Sequence, residues 1–93
     1  MIEAAQGRWR VTGPVTLRTA AALRAEGLRL LEGGDAVVDL SGVTEADSAA
    51  LSLLLEWRRA AAASGRSVRF EHPTSNLHSL ATLYNVHELL PGL

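Results

Sequence analysis

Few side chains in this sequence of 93 residues have the type and spacing that catalysis requires. The histidines His72, His78 and His87 stand six and nine residues apart, which matches neither a pair on one helix face nor a zinc-finger spacing. Ser48 lacks the Gly-x-Ser-x-Gly elbow that exposes a hydrolase nucleophile. We therefore interpret the histidines as structural or surface residues, and we predict neither a catalytic residue nor a metal site.

The composition excludes further kinds of chemistry. All nine basic residues are arginine, so no lysine is present for a P-loop, a Schiff base or a Ser-Lys dyad. The absence of cysteine excludes a thiolate nucleophile and a disulfide framework. Gly33-Gly34 follows a helical segment instead of opening one, which is typical of a helix end and not of a phosphate-binding loop. We expect no enzyme activity and no cofactor.

Charge and hydropathy limit the partners. A net charge of −1 leaves no basic footprint for nucleic acid or for an anionic membrane. The longest stretch of low polarity, residues 46–55, falls well short of the ~20 apolar residues that span a bilayer. The first five residues do not form a signal peptide. We therefore expect a single domain over residues 1–93, located in the cytoplasm, whose partner is another protein.

Apolar periodicity predicts alternating strands and helices. Strands are expected at residues 8–12, where Gly13-Pro14 would end the strand, at 36–40 and at 67–71, and a further short strand could begin at 15–17. Helices are expected at 18–32, 47–64 and 75–84, with a linker at 41–45 and an apolar tail at 86–93 that packs onto the domain. This order predicts an α/β fold in which helices cover a mostly parallel sheet.

The helix at 47–64 has two different faces. At 100° per residue, one face is an apolar arc that should contact the sheet, formed by Ala50, Leu51, Leu54, Trp57 and Ala61. The opposite face, which we call the docking stripe, comprises Ser48, Ser52, Leu55, Glu56 and Arg59. Small hydroxyls beside one leucine and one arginine form a low surface that another protein could approach closely. An ordinary solvated face has the same composition, so the pattern alone leaves both interpretations open.

The start of this helix carries a preferred N-cap. Asp47 can accept hydrogen bonds from the free backbone N–H groups, which makes Ser48 the first helical residue. The Ser48 hydroxyl would then point outward at the positive end of the helix dipole, where an added phosphate is tolerated. The alternative is that Ser48 is itself the cap.

The final helix and tail offer a second candidate surface. Leu83, Tyr84, Val86 and Leu89 present more apolar side chain than one short terminal segment can bury. We predict that a partner covers part of this surface and that Tyr84 contacts it. The alternative is that Tyr84 belongs to the core beside Leu77 and Leu80.

Two segments resemble a known family. Residues 37–43, VVDLSGV, followed by 46–51, ADSAAL, resemble the core signature of STAS domains, which occur as anti-sigma-factor antagonists and as cytoplasmic tails of sulfate transporters. Residues 80–86 and 89–91 are similar to the small STAS subunit of Mla-type phospholipid ABC transporters. The resemblance covers residues 35–93 well and the first third only by element order. It implies a STAS-type sheet of four to five mostly parallel strands covered by about three to four helices.

The resemblance also implies a function. It aligns Ser48 with the phosphorylatable Ser or Thr that antagonist STAS proteins carry. In Mla-type subunits, a hydroxyl residue at this position is important for engaging the ATPase. It therefore implies a non-catalytic cytoplasmic subunit that binds the ATPase of a phospholipid-transport complex at the inner face of the inner membrane and supports its assembly and activity. Together with the docking stripe and the final helix, this predicts as contacts Ser48, Ser52, Leu55, Arg59 and Tyr84. The alternative is an anti-sigma-factor antagonist that phosphorylation of Ser48 releases from its kinase. Many relatives have glycine where this chain has Ala49-Ala50, which leaves less room for an incoming backbone.

Overall fold

A computed structural model describes all 93 residues as a four-stranded sheet with three helices. The strands are β1 (Ile2–Ala5), β2 (Arg8–Val15), β3 (Ala36–Ala46) and β4 (Val68–Glu71), and the helices are α1 (Ala20–Leu31), α2 (Ser48–Ala63) and α3 (Ser75–Leu83). The strand order is β1-β2-β3-β4, with β1 antiparallel to β2 and the other two pairings parallel. The predicted α/β fold with a mostly parallel sheet is confirmed. No helix combines the length and the apolar character that crossing a bilayer requires.

The N-terminal strand β1 was not predicted from the sequence. It pairs with β2 through a two-residue turn in which Gln6 and Gly7 both have positive φ, 52° and 80°, as a type I′ hairpin requires. Alanine and glutamate have low strand propensity, so the local pattern does not indicate a strand here. Pairing with β2 and burial of Ile2 outweigh that propensity.

The central strands β2 and β3 are longer than predicted. Gly13-Pro14 does not end β2, and no separate strand begins at residues 15–17. The predicted linker at 41–45 is part of β3, which pairs with β2 as far as Val15↔Ala46. The pairing shifts register between Arg10 and Thr12 and between Gly13 and Pro14, and irregularities of this kind bend a strand and increase its twist.

The helix ends follow their caps. Helix α1 begins at Ala20 and not at the predicted residue 18, because the Thr19 side chain instead closes a turn in which it accepts from the Thr16 N–H at 3.0 Å. Asp47 is the N-cap of α2 and accepts from the Ala49 N–H at 2.9 Å, which rules out Ser48 as the cap. Asn85 has φ 55° just beyond α3, the left-handed conformation that commonly ends a helix.

The core is centred on Trp57 of α2, and the whole predicted apolar arc of this helix is buried. The Trp57 indole meets Trp9 of β2 edge to face, with ring centroids 5.4 Å apart, and its Nε1–H donates to the Arg24 carbonyl at 3.3 Å. A Cβ on Gly27 would overlap the indole, so only glycine lets α1 approach α2 this closely. Trp57 therefore sets the spacing between the two helices. The tail packs down as expected, with Leu90 and Leu93 buried.

Candidate functional site

An open groove of about 900 Å³ lies where the docking stripe meets the start of α1 and the turn after α3. Helix α2 and its cap contribute Asp47, Ser48, Ala49, Leu51, Ser52, Leu53, Leu55 and Glu56, and the two sides contribute Leu17, Ala20, Ala21, Arg24, Tyr84 and Val86. Nine of these fourteen residues are hydrophobic, so the groove offers apolar contact area more than polar groups. We call it the α2 groove.

Four of the five predicted contact residues line the α2 groove. Ser48 and Ser52 are exposed on its floor, Leu55 is half-buried, and Tyr84 stands at its edge with 53% of its surface exposed. The exposure of Tyr84 argues against the alternative that it belongs to the core. Arg59 is exposed on the same face of α2 but does not line the groove.

Sequence reasoning missed the side of the groove formed before and within α1. Leu17 is 80% exposed, the highest value among the large hydrophobic residues. Its backbone N–H donates to Oδ2 of Asp47 at 3.1 Å, while Oδ1 of the same carboxylate caps α2. One carboxylate therefore holds both the start of α2 and the loop that presents Leu17. The only local signal in the sequence was a leucine followed by an arginine, at residues 17 and 18. The strand expected at 15–17 did not indicate that this leucine would be exposed.

The α1 side of the groove is fixed to α2 by two adjacent residues. Glu56 pairs with the Arg24 guanidinium at 3.3 Å, and Trp57 donates to the Arg24 carbonyl. Both ends of Arg24 are thus bound to the neighbouring helix. The ion pair also leaves no uncompensated charge at the centre of the groove.

Ser48 has no neighbouring histidine that could act as the general base of acyl transfer. None of the three histidines lines the groove that contains Ser48. His78 and His87 instead lie together near the tail, where His78 Nδ1 is 2.6 Å from the Leu93 carbonyl oxygen and His87 Nε2 is 3.0 Å from Thr82 Oγ1. No group of three or more His, Asp or Glu side chains is placed to hold a metal ion.

The opposite side of the sheet has a different character. Buried and more exposed residues alternate along the strands, and the more exposed ones point away from the core. We call this surface the open sheet face; its charged side chains are Arg8, Arg10, Asp39, Arg69 and Glu71. Arg8 and Arg69 both pair with Glu71, at 2.9 Å and 3.7 Å.

Asp39 is the one titratable group whose pKa is clearly shifted by its environment. The Ser41 backbone N–H, 2.9 Å from the carboxylate, lowers the pKa of Asp39 below its ordinary value, and the Ser41 hydroxyl adds to this. Slight burial opposes the shift, while the positive charges of His72 and Arg10 reinforce it. Both carboxylates of the open sheet face are therefore stabilised by neighbours: Glu71 by arginines and Asp39 mainly by Ser41.

Comparison with known proteins identifies the family. A family model described as "Mlab, STAS domain" matches residues 2–91. The chain belongs to the STAS domain family. The match extends the resemblance of residues 35–93 to nearly the whole chain, including the N-terminal hairpin. The sequence search found no match among curated proteins.

Solved structures share the fold. The anti-sigma factor antagonist SpoIIAA in its unphosphorylated form matches with a TM-score of 0.77 and 12% identity, over 100% of this chain and 86% of that one. A Thermotoga maritima protein described as an anti-sigma factor antagonist matches with a TM-score of 0.78 and 15% identity, over 97% and 81%. Mglu matches with a TM-score of 0.64 and 24% identity, over 81% of this STAS chain but only 20% of its own. At these identities the likeness establishes the fold alone.

Proposed function

We propose that this STAS chain is a non-catalytic accessory subunit that binds the ATPase of an Mla-type phospholipid-transport ABC complex and supports its assembly and activity. The α2 groove is the observation that carries the proposal, because it leaves apolar side chains exposed around two small hydroxyl residues. The Mlab description of the matching family model supports this choice of partner. The subunit would work in the cytoplasm, held at the inner face of the inner membrane through the ATPase and not by inserting into the bilayer.

The physical basis of docking is the unburied apolar area. Leu17 and Tyr84 gain little from folding, because more than half of each side chain stays in water. Removing such area from water contributes roughly 25 cal/mol per Å² to association, and the entropic and desolvation costs of binding are subtracted from this term. Tyrosine is among the residues that commonly dominate an interface. Ser48 and Ser52 lie between these side chains, and their small size lets a partner approach the helix closely.

The test is the affinity between the purified chain and the purified ATPase subunit of the Mla-type complex from the same genome, measured by isothermal titration calorimetry. Ser52→Arg should weaken binding by about tenfold or more, because a bulky charge at the centre of the interface would be desolvated without a partner. Ser67→Arg is the matched control, since Ser67 is an exposed serine before β4 that does not line the groove. Failure of the unmodified chain to bind, or an equal loss in both variants, would contradict the proposal.

A partner-switching role is the second candidate, and the position of Ser48 favours it. Ser48 is exposed at the first residue of α2, where free backbone N–H groups stabilise a phosphate. The neighbouring Asp47 carboxylate and the rigid Ala49-Ala50 start oppose this role. Mass spectrometry of the chain after incubation with the serine kinases of its own genome would support this candidate if it found a phosphate on Ser48.

Gene neighbourhood separates the two candidates at small cost. A permease, an ATPase and a lipid-binding carrier encoded nearby favour the transport subunit. A small serine kinase of the histidine-kinase type encoded nearby favours the anti-sigma-factor antagonist.

A further inference from the structure

Arg59 is the one charged side chain of α2 that has neither an ion pair nor a hydrogen bond. Glu56 pairs with Arg24, and the Arg58 guanidinium donates to the Leu89 carbonyl. Arg59 is exposed on the same face as Ser48 and Ser52, beyond the end of the α2 groove. A cation beside an apolar surface can complement a carboxylate that lies next to an apolar stripe on a partner.

The other end of the groove has the opposite charge. The recess that adjoins it holds the carboxylates of Glu45 and Asp47 and a single arginine, Arg18. Ser52 and Arg59 are seven residues apart, which is two helical turns and roughly 10 Å along the helix. The groove therefore has a direction, from a more acidic end to a more basic end.

The walls of the groove determine what can occupy it. They consist of α1, α2 and the turn after α3, so no strand edge is available to which a partner could add a β-strand. A helix satisfies its own backbone hydrogen bonds and presents side chains that fit between two other helices. The occupant that matches these walls is an amphipathic helix.

We infer that the α2 groove holds a helix of the ATPase partner that carries an Asp or Glu opposite Arg59, about two turns from the residue seated on Ser52. Its apolar stripe lies over Leu17, Leu55 and Tyr84. The reverse orientation would bring this carboxylate toward Glu45 and Asp47, so Arg59 determines the direction of the bound helix. The identity of the partner rests on the proposed function, whereas the chemistry of the helix rests on the groove.

The first experiment measures the affinity of the ATPase subunit for Arg59→Glu. We expect a loss of about tenfold or more, with unchanged circular dichroism, because two carboxylates would then face each other. Arg69→Glu is the matched control: it changes the net charge equally, but on the open sheet face, where Arg69 makes only a loose contact with Glu71. Its affinity should stay within about twofold of that of the unmodified chain.

The second experiment does not depend on the ATPase. Two amphipathic helical peptides are titrated against the isotope-labelled chain, and binding is followed by NMR. The peptides differ at one position, seven residues from the central apolar residue, where one carries Glu and the other Lys. The Glu peptide should bind more tightly and shift the resonances of the groove, and Arg59→Glu should invert this preference.

The outcomes separate this inference from the proposed function. The inference is overturned, while the proposed function stands, under three conditions that hold together. The ATPase subunit binds the unmodified chain, Ser52→Arg prevents this binding, and Arg59→Glu has no more effect on it than Arg69→Glu. If the ATPase subunit does not bind, the function fails and the peptides decide the inference. Equal binding of the two peptides, or no binding of either, overturns it.

Discussion

The α2 groove and the open sheet face are both exposed, but they differ in what they leave unsatisfied. The sheet face has charged side chains with partners, whereas the groove has apolar side chains left in water. On the sheet face, Glu71 lies within 4 Å of two arginines, and the Asp39 carboxylate accepts hydrogen bonds from Ser41. In the groove, the central charges are paired but Leu17 and Tyr84 keep their apolar surface in water. Exposed ion pairs contribute only about 0–1 kcal/mol each, yet they leave nothing that requires a partner. The contrast teaches that uncovered apolar area, and not exposure alone, identifies the docking side.

The largest effect is expected from Trp57→Ala, which removes the side chain that spaces α1 from α2. The variant should lose about 3–5 kcal/mol of unfolding free energy, because it leaves a cavity beside Trp9 and Gly27. Urea denaturation followed by circular dichroism measures the loss. Trp57→Phe, which retains an aromatic ring but not the donor to Arg24, should lose less. A loss below about 1 kcal/mol for Trp57→Ala would show that the helix spacing is set elsewhere.

An intermediate effect, on binding alone, is expected from Leu17→Ala. Its unfolding free energy should change by less than about 0.5 kcal/mol, because the side chain is mostly exposed. Affinity for the ATPase subunit should fall by about fivefold or more, which corresponds to about 1 kcal/mol at an interface anchor.

Leu83→Ala is the control for Leu17→Ala. Leu83 is 74% exposed and belongs to the apolar surface predicted for the final helix and tail, but unlike Tyr84 and Val86 it does not line the groove. Equal affinities for the two variants would remove the distinction between groove and surroundings on which the comparison depends.

The smallest effect is expected on the open sheet face, at Asp39. A carboxylate whose folded pKa is lowered stabilises the fold above its unfolded pKa, and this contribution is lost as the pH falls through the folded pKa. NMR titration should therefore find a lower pKa for Asp39 in the folded chain than in the urea-unfolded chain. Ser41→Ala removes the hydroxyl but keeps the N–H, so it should reverse only part of the shift. An identical pKa in both states would show that the hydrogen bonds from Ser41 do not stabilise the Asp39 carboxylate in the folded chain.

The sequence alone determined the parts of the molecule that depend on neighbours a few residues away. Helix α2 was predicted almost to the residue, because an N-cap at Asp47, helix formers and Gly65 act locally. The same periodicity put Ser48 and Ser52 on the exposed face. Three of the four contacts predicted on α2 therefore line the groove.

Only the tertiary structure decided which distant segments complete that groove and how far the strands extend. Strand β1 and the extension of β3 form because β2 supplies their hydrogen bonds, and local propensity does not encode that pairing. Leu17 joins the site because Asp47, thirty residues later, accepts from its N–H. Arg59 shares the helix face but lies outside the groove, because the part of α2 that lines the groove ends at Glu56. Contacts between residues far apart in the chain fix these features, and no local sequence pattern specifies them.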